Sequence, residues 1–156
     1  MDSPNRIADR LRRTVHGPMW HGPSVMEAIG DLTAKHAATH VIPHAHSAWE
    51  LVLHIAAWAE IAQARLDGEA WLTPTDAEDF PPLGIRRGKP EWVAAQRRVT
   101  TAYESLAAAV KVRSPADLDA MVVGQKYTAA TMLHGVVEHG CYHAGQIVLM
   151  RKAQQA

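Results

Sequence analysis

The chain has little cysteine, few aromatic residues and no excess of charge of either sign. Cys141 is the single cysteine among 156 residues, so an internal disulfide cannot form and nothing indicates an oxidising compartment. Lys and Arg number 16, against 16 Asp and Glu, and the formal net charge is zero. Proteins that bind nucleic acid usually carry a cationic surplus, so this class of partner is not expected.

Long hydrophobic runs are also missing. The longest apolar run, residues 51–59, is too short to span a bilayer and is interrupted by His54. The N-terminal stretch MDSPNRIADRLRR is polar where a secretory signal would be apolar. We therefore expect a cytoplasmic protein that does not contact a membrane. The sequence also lacks a Gly-rich phosphate loop and a G-x-S-x-G nucleophile motif.

What the chain does contain is enough apolar sequence for a core, since 47% of the residues are hydrophobic. Abundant alanine and the absence of alternating apolar and polar stretches predict an all-α fold in one soluble domain over residues 1–156. Capping residues, prolines and apolar periodicity predict four main helices, over residues 4–16, 48–67, 90–113 and 129–153. This pattern is typical of a four-helix bundle.

The segments between these helices carry further information. Residues 19–43 are weakly patterned and predict short helices at most, and a loop or partial turn is expected before residue 127. Residues 68–89 are rich in Pro and Gly and predict a connection that crosses the length of the bundle, so that the second and third helices run parallel. Glu138 is the one charged residue between 127 and 150, so the last helix is expected to be largely surrounded by protein.

Histidine is the residue type in clear excess, with ten copies. Its imidazole is the commonest metal-ligating side chain and titrates near neutral pH, so metal binding and proton transfer are the first functions to consider. A set of exposed, inert imidazoles is the alternative. Two histidines four residues apart share one face of a helix and can chelate one ion. This spacing occurs three times, in His36/His40, His40/His44 and His139/His143.

Sequence context separates these pairs. Pro43 disfavours a helical conformation at the residue before it, so the histidines of residues 36–44 are expected to be exposed and inert. His139 and His143 lie in the middle of the least charged helix, where unpaired imidazoles are costly to bury, which suggests a shared partner. His54, in another apolar helix, is the best third ligand. The alternative for this residue is a core histidine bonded to a backbone carbonyl.

Several polar residues near these histidines have two interpretations. Glu50 could orient a ligand or act as a general base, although a capping box with the residue at 47 already explains it. Gln146 could face the site, but a packing role between helices is favoured. Cys141 is expected to be a small buried side chain rather than a nucleophile. For Tyr142 and His134 the default is a hydrogen-bonded core position.

The remaining candidates are aromatic or basic. Core or dimer-interface positions are expected for the tryptophans of the predicted helices, which are Trp49, Trp58 and Trp92. Trp71 and Phe80 lie in the long connection and must be buried somewhere, either over a metal cavity or against a partner subunit. His46 could line a cavity mouth, but a surface position is favoured. The basic pair at 86–87 could meet an anionic substrate group, with a solvated pair as the default.

Two segments carry a resemblance to a known family. The stretches AHSAWELVLHIAAW (residues 45–58) and LHGVVEHGCYHAGQIVLMRK (residues 133–152) are similar to the second-helix and fourth-helix signatures of the DinB-like superfamily, also called DinB/YfiT-like metalloenzymes. The most specific part is the final H-x-x-x-H followed by A-G-Q-I. The resemblance implies a bundle of up-down-down-up topology, usually a homodimer, with a divalent metal held by His54, His139 and His143.

The resemblance also implies a range of functions. Relatives include thiol-dependent S-transferases and isomerases that use bacillithiol, mycothiol or similar thiols, so an enzyme acting on a small molecule is expected, with thiol transfer ahead of metal-dependent hydrolysis. A non-catalytic metal-binding or ligand-binding bundle is the competing class. Zinc or nickel is the most expected metal, and iron or manganese would also suit imidazole ligands. Because ligand imidazoles must be neutral, metal affinity should fall as the pH drops through about 6.

Overall fold

The computed structural model describes residues 3–70 and 73–155, and the regular elements within these ranges are helices. An isolated bridge between Met121 and Thr128 precedes the last helix. In chain order the helices are α1 (Pro4–His16), α2 (Val25–Ile29), α3 (Ala34–Ala37), α4 (Ala48–Leu66), α5 (Asp76–Asp79), α6 (Lys89–Lys111), α7 (Pro115–Asp119) and α8 (Ala129–Ala153). The four long helices agree with the four predicted ones to within two residues at each end.

The start of α4 shows why the ends of these helices could be predicted from the sequence. The Ser47 hydroxyl accepts a hydrogen bond from the backbone amide of Glu50, and the Glu50 carboxylate accepts one from the backbone amide of Ser47 at 2.7 Å. This capping box satisfies amide groups that the first helical turn leaves without partners. It sets the start of the helix that carries His54.

The long helices α1, α4, α6 and α8 pack as a ring, in which α4 and α1 each contact both α6 and α8. Contacts between α4 and α6 follow the same order along both helices, from Trp49 against Trp92 near their starts to Asp67 with Arg113 near their ends. The two helices therefore run in the same direction, as expected for helices joined by a long crossover. Among the described residues, no helix has an apolar stretch long enough to cross a membrane.

The segment expected to be a connection and the segment expected to be a loop or partial turn each contain one short helix. Within 68–89, Thr75 opens α5 and its hydroxyl and backbone amide both donate to the Glu78 carboxylate. In the segment before Tyr127, Ser114 opens α7 through a capping box with Asp117. A Ser or Thr three residues before an acidic residue is a helix start even when few apolar residues follow, and this signal was overlooked.

The helix α8 is less enclosed than its lack of charge suggested, so that expectation was partly wrong. One face packs into the bundle, while the other is exposed at Thr131, Gly135, Glu138, Tyr142, Gly145 and Leu149. On the buried side, a Cβ added at Gly140 would lie 2.7 Å from the Tyr103 hydroxyl and 2.5 Å from a methyl carbon of Thr14. Glycine therefore allows α8 to approach α1 and α6 closely between the two histidines of its H-x-x-x-H motif.

Candidate metal centre

The fold brings the three predicted ligand histidines together. His54 lies on α4 and faces His139 and His143 on α8. Their ring nitrogens converge, because the Nε2 atom of His139 is 2.8 Å from that of His54 and 3.1 Å from that of His143. One ligand atom from each side chain lies within 4.8 Å of the others, and no second group of this kind occurs among the described residues. The three side chains thus form one cluster.

The protonation of two of these imidazoles follows from their other contacts. The Nδ1 atom of His54 is 2.6 Å from the backbone carbonyl oxygen of Asp79. A carbonyl only accepts, so Nδ1 carries the hydrogen and Nε2 of the neutral ring carries a lone pair. The Nδ1 atom of His143 is 2.6 Å from the Gln146 side-chain oxygen, whose amide nitrogen donates to the Tyr142 hydroxyl. His143 therefore also points an Nε2 lone pair at the cluster.

His139 completes the set. Its Nε2 lies between the other two, while its Nδ1 is buried without a hydrogen-bond partner among the described residues. The Nε2 atoms of His54 and His143 are both acceptors. A single hydrogen on Nε2 of His139 can be donated to only one of them, so the other is left without a donor. A cation bound by three neutral imidazoles would satisfy all three nitrogens at once. The residues present therefore fit a divalent metal ion.

Burial keeps the three rings in the neutral form that a ligand needs. Desolvation lowers the pKa of His54 and of His143 below the usual histidine range. For His139, desolvation and the neighbouring imidazoles lower the pKa to about 3. Protons therefore compete weakly for these nitrogens, and metal release is expected further below pH 6 than an ordinary histidine pKa would suggest.

The long crossover covers one side of the cluster. The Phe80 ring stacks on His54 with centroids 3.9 Å apart, and His46 stacks on the opposite face of Phe80 at 3.7 Å. The Trp58 indole donates to the Asp79 carboxylate at 2.7 Å, which ties α5 to α4. Phe80 thus lies over the candidate site, as one of its two interpretations predicted, whereas Trp71 falls outside the described residues.

A cavity of about 540 Å³ extends from the three histidines along the groove between α4 and α8. This volume lies in the range of sites that hold small organic molecules. Its lining is mostly apolar. The lining residues other than the three histidines are Trp58, Ala62, Arg65, Asp79, Tyr127, Thr131, Met132, Gly135, Val136 and Tyr142.

The structure corrects the interpretation of Gln146 and Tyr142. A packing role for Gln146 was wrong, because its side chain accepts from His143 and so belongs to the site. A core position for Tyr142 was also wrong, since the side chain is 64% exposed at the cavity wall. Each of these residues follows a clustered histidine by a helical turn or less, a spacing too common to be informative without the neighbouring helices.

Other candidates lie away from the cluster. Glu50 has the capping role, and it also accepts from His40 at 2.8 Å, so His40 is exposed but not inert. His134 is half-buried and lies 3.2 Å from an Arg10 nitrogen. Cys141 is half-buried, and burial raises the pKa of its thiol, which disfavours a nucleophilic thiolate.

The structure also places the remaining histidine, arginine and tryptophan candidates. His46 is exposed but stacked on Phe80, and the basic pair at 86–87 is exposed, with Arg86 3.5 Å from Glu91. Trp49 and Trp92 are core residues, as expected, whereas Trp58 lines the cavity. Among the lining residues that sequence reasoning missed are the two charged ones, Asp79 and Arg65, and the phenol of Tyr127, because nothing in their local patterns relates them to distant histidines.

Comparison with known proteins identifies a family. A family model described as the DinB superfamily matches residues 21–147. This range contains the three clustered histidines and most of the bundle. Comparisons with curated proteins and with solved structures gave no significant match.

Proposed function

Since the chain belongs to the DinB superfamily, whose members bind metals, we propose that His54, His139 and His143 hold a divalent metal ion in an enzyme that acts on a small molecule. The reaction we propose is transfer of a low-molecular-weight thiol to an electrophilic substrate. Zinc or nickel is the metal best suited to a thiol and three imidazoles.

One observation carries the proposal: one ring nitrogen from each of the three histidines converges on one point, and the partners of His54 and His143 fix the opposite nitrogen of each of these two rings as a donor. The Asp79 carbonyl does this for His54, and Gln146 does it for His143. Acceptors of this kind orient metal-ligating histidines and make them better ligands. A cluster of core histidines with no ligand role would be expected to pair each Nε2 with an acceptor or donor of its own.

The chain's own residues define what happens around the metal. When bound, a divalent ion lowers the pKa of a thiol or water that it binds and so supplies a nucleophile at neutral pH. The histidines would fix its position, the Phe80 stack holds His54 in place, and the groove presents a mostly apolar wall to the reacting groups. The same groove would receive the electrophile beside the thiol sulfur.

The apolar cavity favours thiol transfer over hydrolysis. Hydrolysis needs a water molecule delivered to the metal and usually a base to activate it, whereas the lining offers one carboxylate, that of Asp79. That carboxylate already accepts from Trp58 and lies 3.3 Å from His54. Hydrolase activity and simple metal binding are therefore the alternatives that an experiment must separate from transfer.

The first experiment measures metal content. Protein purified without added metal is analysed for zinc, nickel, iron and manganese beside two matched triple variants. One carries alanine at 54, 139 and 143, and the control carries alanine at 36, 40 and 44. About one metal ion per chain in wild type and control, and none in the first variant, is the expected result. Equal metal content in both variants would overturn the site.

The second experiment measures transfer. Metal-loaded protein is incubated with glutathione or cysteine and 1-chloro-2,4-dinitrobenzene, and formation of the thioether is followed by absorbance. The thiol loses its proton, its sulfur displaces chloride from the ring, and the thioether results. Transfer above the uncatalysed rate that disappears in the first triple variant supports the proposed reaction. Hydrolysis of 4-nitrophenyl acetate without any thiol transfer would favour the hydrolase instead.

A further inference from the structure

The cavity has a second end that is chemically unlike the first. Arg65 lies on α4 about three helical turns beyond His54, and Tyr127 lies just before α8. Both residues line the same cavity as the three histidines. Because α4 and α8 run in opposite directions here, one end of the groove holds the imidazoles and the other holds a guanidinium with a phenol.

Arg65 is a buried cation on the cavity wall. It is 6% exposed, and one of its terminal nitrogens donates to the Tyr127 hydroxyl at 3.0 Å. Its guanidinium carbon lies 5.7 Å from the centre of the Trp58 ring, and that ring lies 6.0 Å from the His139 ring. The charged group and His139 thus each lie within about 6 Å of one indole ring, so a small organic molecule can reach both.

From this arrangement we propose that Arg65 and Tyr127 form an anion-recognition site, and that the cavity binds an elongated, mostly apolar molecule with a carboxylate at the end opposite its metal-binding group. The metal-binding end of this ligand rests on the proposed function. The carboxylate end rests on the two residues themselves.

The physical argument begins with charge. A guanidinium stays protonated at any physiological pH, and in an apolar cavity its field is screened far less than in water. A carboxylate entering the groove gains a charge-assisted hydrogen bond there, which is stronger than a neutral one. The Tyr127 oxygen accepts from Arg65, and a phenol that accepts can also donate, so its hydrogen is suited to the same carboxylate.

The rest of the lining defines the middle of the ligand. Away from the two ends the lining includes Ala62, Met132, Gly135 and Val136, which offer no side-chain hydrogen bonds, and Trp58, whose N–H already donates to Asp79; Thr131 adds a single hydroxyl. A polar linker would lose its hydration there without compensation, so an alkyl or aryl linker is favoured. The Asp79 carboxylate lies at the histidine end and would repel a second carboxylate there, so the carboxylate of the ligand is favoured at the Arg65 end.

The test compares acids with their neutral analogues. Zinc-loaded protein is titrated by calorimetry with ω-mercaptoalkanoic acids of increasing chain length and with the corresponding primary amides. Wild type is expected to bind the acid at least about tenfold more tightly than the amide at the best chain length, as a hydrogen bond to a charged group would give. Arg65→Met, which keeps an unbranched apolar side chain, should reduce this ratio to about one.

Controls separate recognition from folding. Arg98→Met removes an arginine whose guanidinium pairs with Glu60 outside the cavity, and it should leave the ratio unchanged. Tyr127→Phe should lower the ratio without abolishing it. If Arg65→Met does not fold, the acid-to-amide ratio is measured in two milder variants instead: Arg65→Lys, which keeps a charge, and Tyr127→Phe, which removes only a hydroxyl. A ratio equal to that of wild type in both variants would then overturn the inference.

Two results would overturn the inference: equal acid and amide affinity in wild type, or an acid preference that survives in Arg65→Met. The same titration of the variant with alanine at 54, 139 and 143 distinguishes this failure from that of the proposed function. If neither wild type nor this variant binds metal and both still prefer the acid, the anion site is supported and the proposed metal centre is wrong.

Discussion

Two regions of the molecule carry histidines at the same spacing and use them differently. In residues 36–46 the imidazoles are exposed, and His40 bonds to the Glu50 carboxylate. On α8, His139 and His143 turn inward and meet His54 from the facing helix. The H-x-x-x-H pattern is common to both regions, so the pattern by itself does not make a ligand site.

The backbone explains the difference. The short helix α3 ends at Ala37, and His44 has a positive φ of 64°, so residues 36–44 never present one continuous helical face. The helix α8 is unbroken for 25 residues, which keeps its two histidines side by side. Burial then separates the regions further, because an exposed imidazole is satisfied by water while a buried one needs a defined partner.

The largest expected effect comes from removing the central nitrogen of the cluster. His139→Ala should lower zinc affinity by at least about 100-fold, since the loss of a ligand exceeds the loss of an orienting group. His40→Ala, with the same spacing to its neighbours but an exposed ring, should leave zinc affinity unchanged. Competition with a chromophoric chelator measures both, and similar losses in the two variants would remove the distinction between the regions.

The next effect concerns the residue that orients a ligand. Gln146→Leu keeps the length of the side chain but removes the acceptor for His143, so zinc affinity should fall about 10–100-fold. Gln63→Leu, on α4 and outside the cavity lining, is the matched control and should leave affinity unchanged. An unaltered zinc affinity in Gln146→Leu would show that His143 needs no partner on its other nitrogen.

Acid sensitivity gives a third contrast. A histidine with a pKa of about 3 in the folded chain and about 6.5 in the unfolded chain makes the unfolded state bind more protons between these values. The free energy of unfolding of the metal-free protein should therefore fall as the pH is lowered from about 6.5, by at most about 1.4 kcal/mol per pH unit for this group.

Urea unfolding of metal-free protein at pH 7, 6 and 5 checks this expectation. His139→Gln removes the titrating group and should flatten the dependence on pH, whereas His36→Gln, at an exposed position, should leave it as in wild type. Equal slopes in all three proteins would mean that burial of His139 does not govern its protonation.

Much of the fold and part of the site were predictable from the sequence. The limits of α1 and α8 and the capping box of α4 are local features, because caps, prolines and apolar periodicity act within a turn or two of the residues that show them. The three ligand candidates were also found in the sequence, His139 and His143 by spacing and His54 by its apolar surroundings. Whether they bind metal is still a prediction.

What the sequence could not supply is contact between distant elements. Asp79 lies 25 residues after His54 and reaches it through the fold of the crossover. Arg65 meets Tyr127 across 62 residues, and neither has a neighbour in sequence that hints at a cavity. The error over Gln146 differs, because this residue bonds to His143 three positions before it on the same helix, and only the fold shows that His143 belongs to a cluster with His54.

The smallest expected effect tests the outer histidine region. Glu50→Gln keeps the size of the side chain but removes the negative charge that accepts hydrogen bonds from His40 and from the Ser47 amide. The free energy of unfolding should therefore fall by about 1 kcal/mol, which is the typical cost of a weakened helix cap. Zinc affinity should not change, because Glu50 contacts none of the three clustered imidazoles. Chemical unfolding and a chelator competition on the same sample separate the two quantities. A loss of zinc binding without a loss of stability would mean that Glu50 acts on His54 one turn away, and that the two histidine regions are coupled.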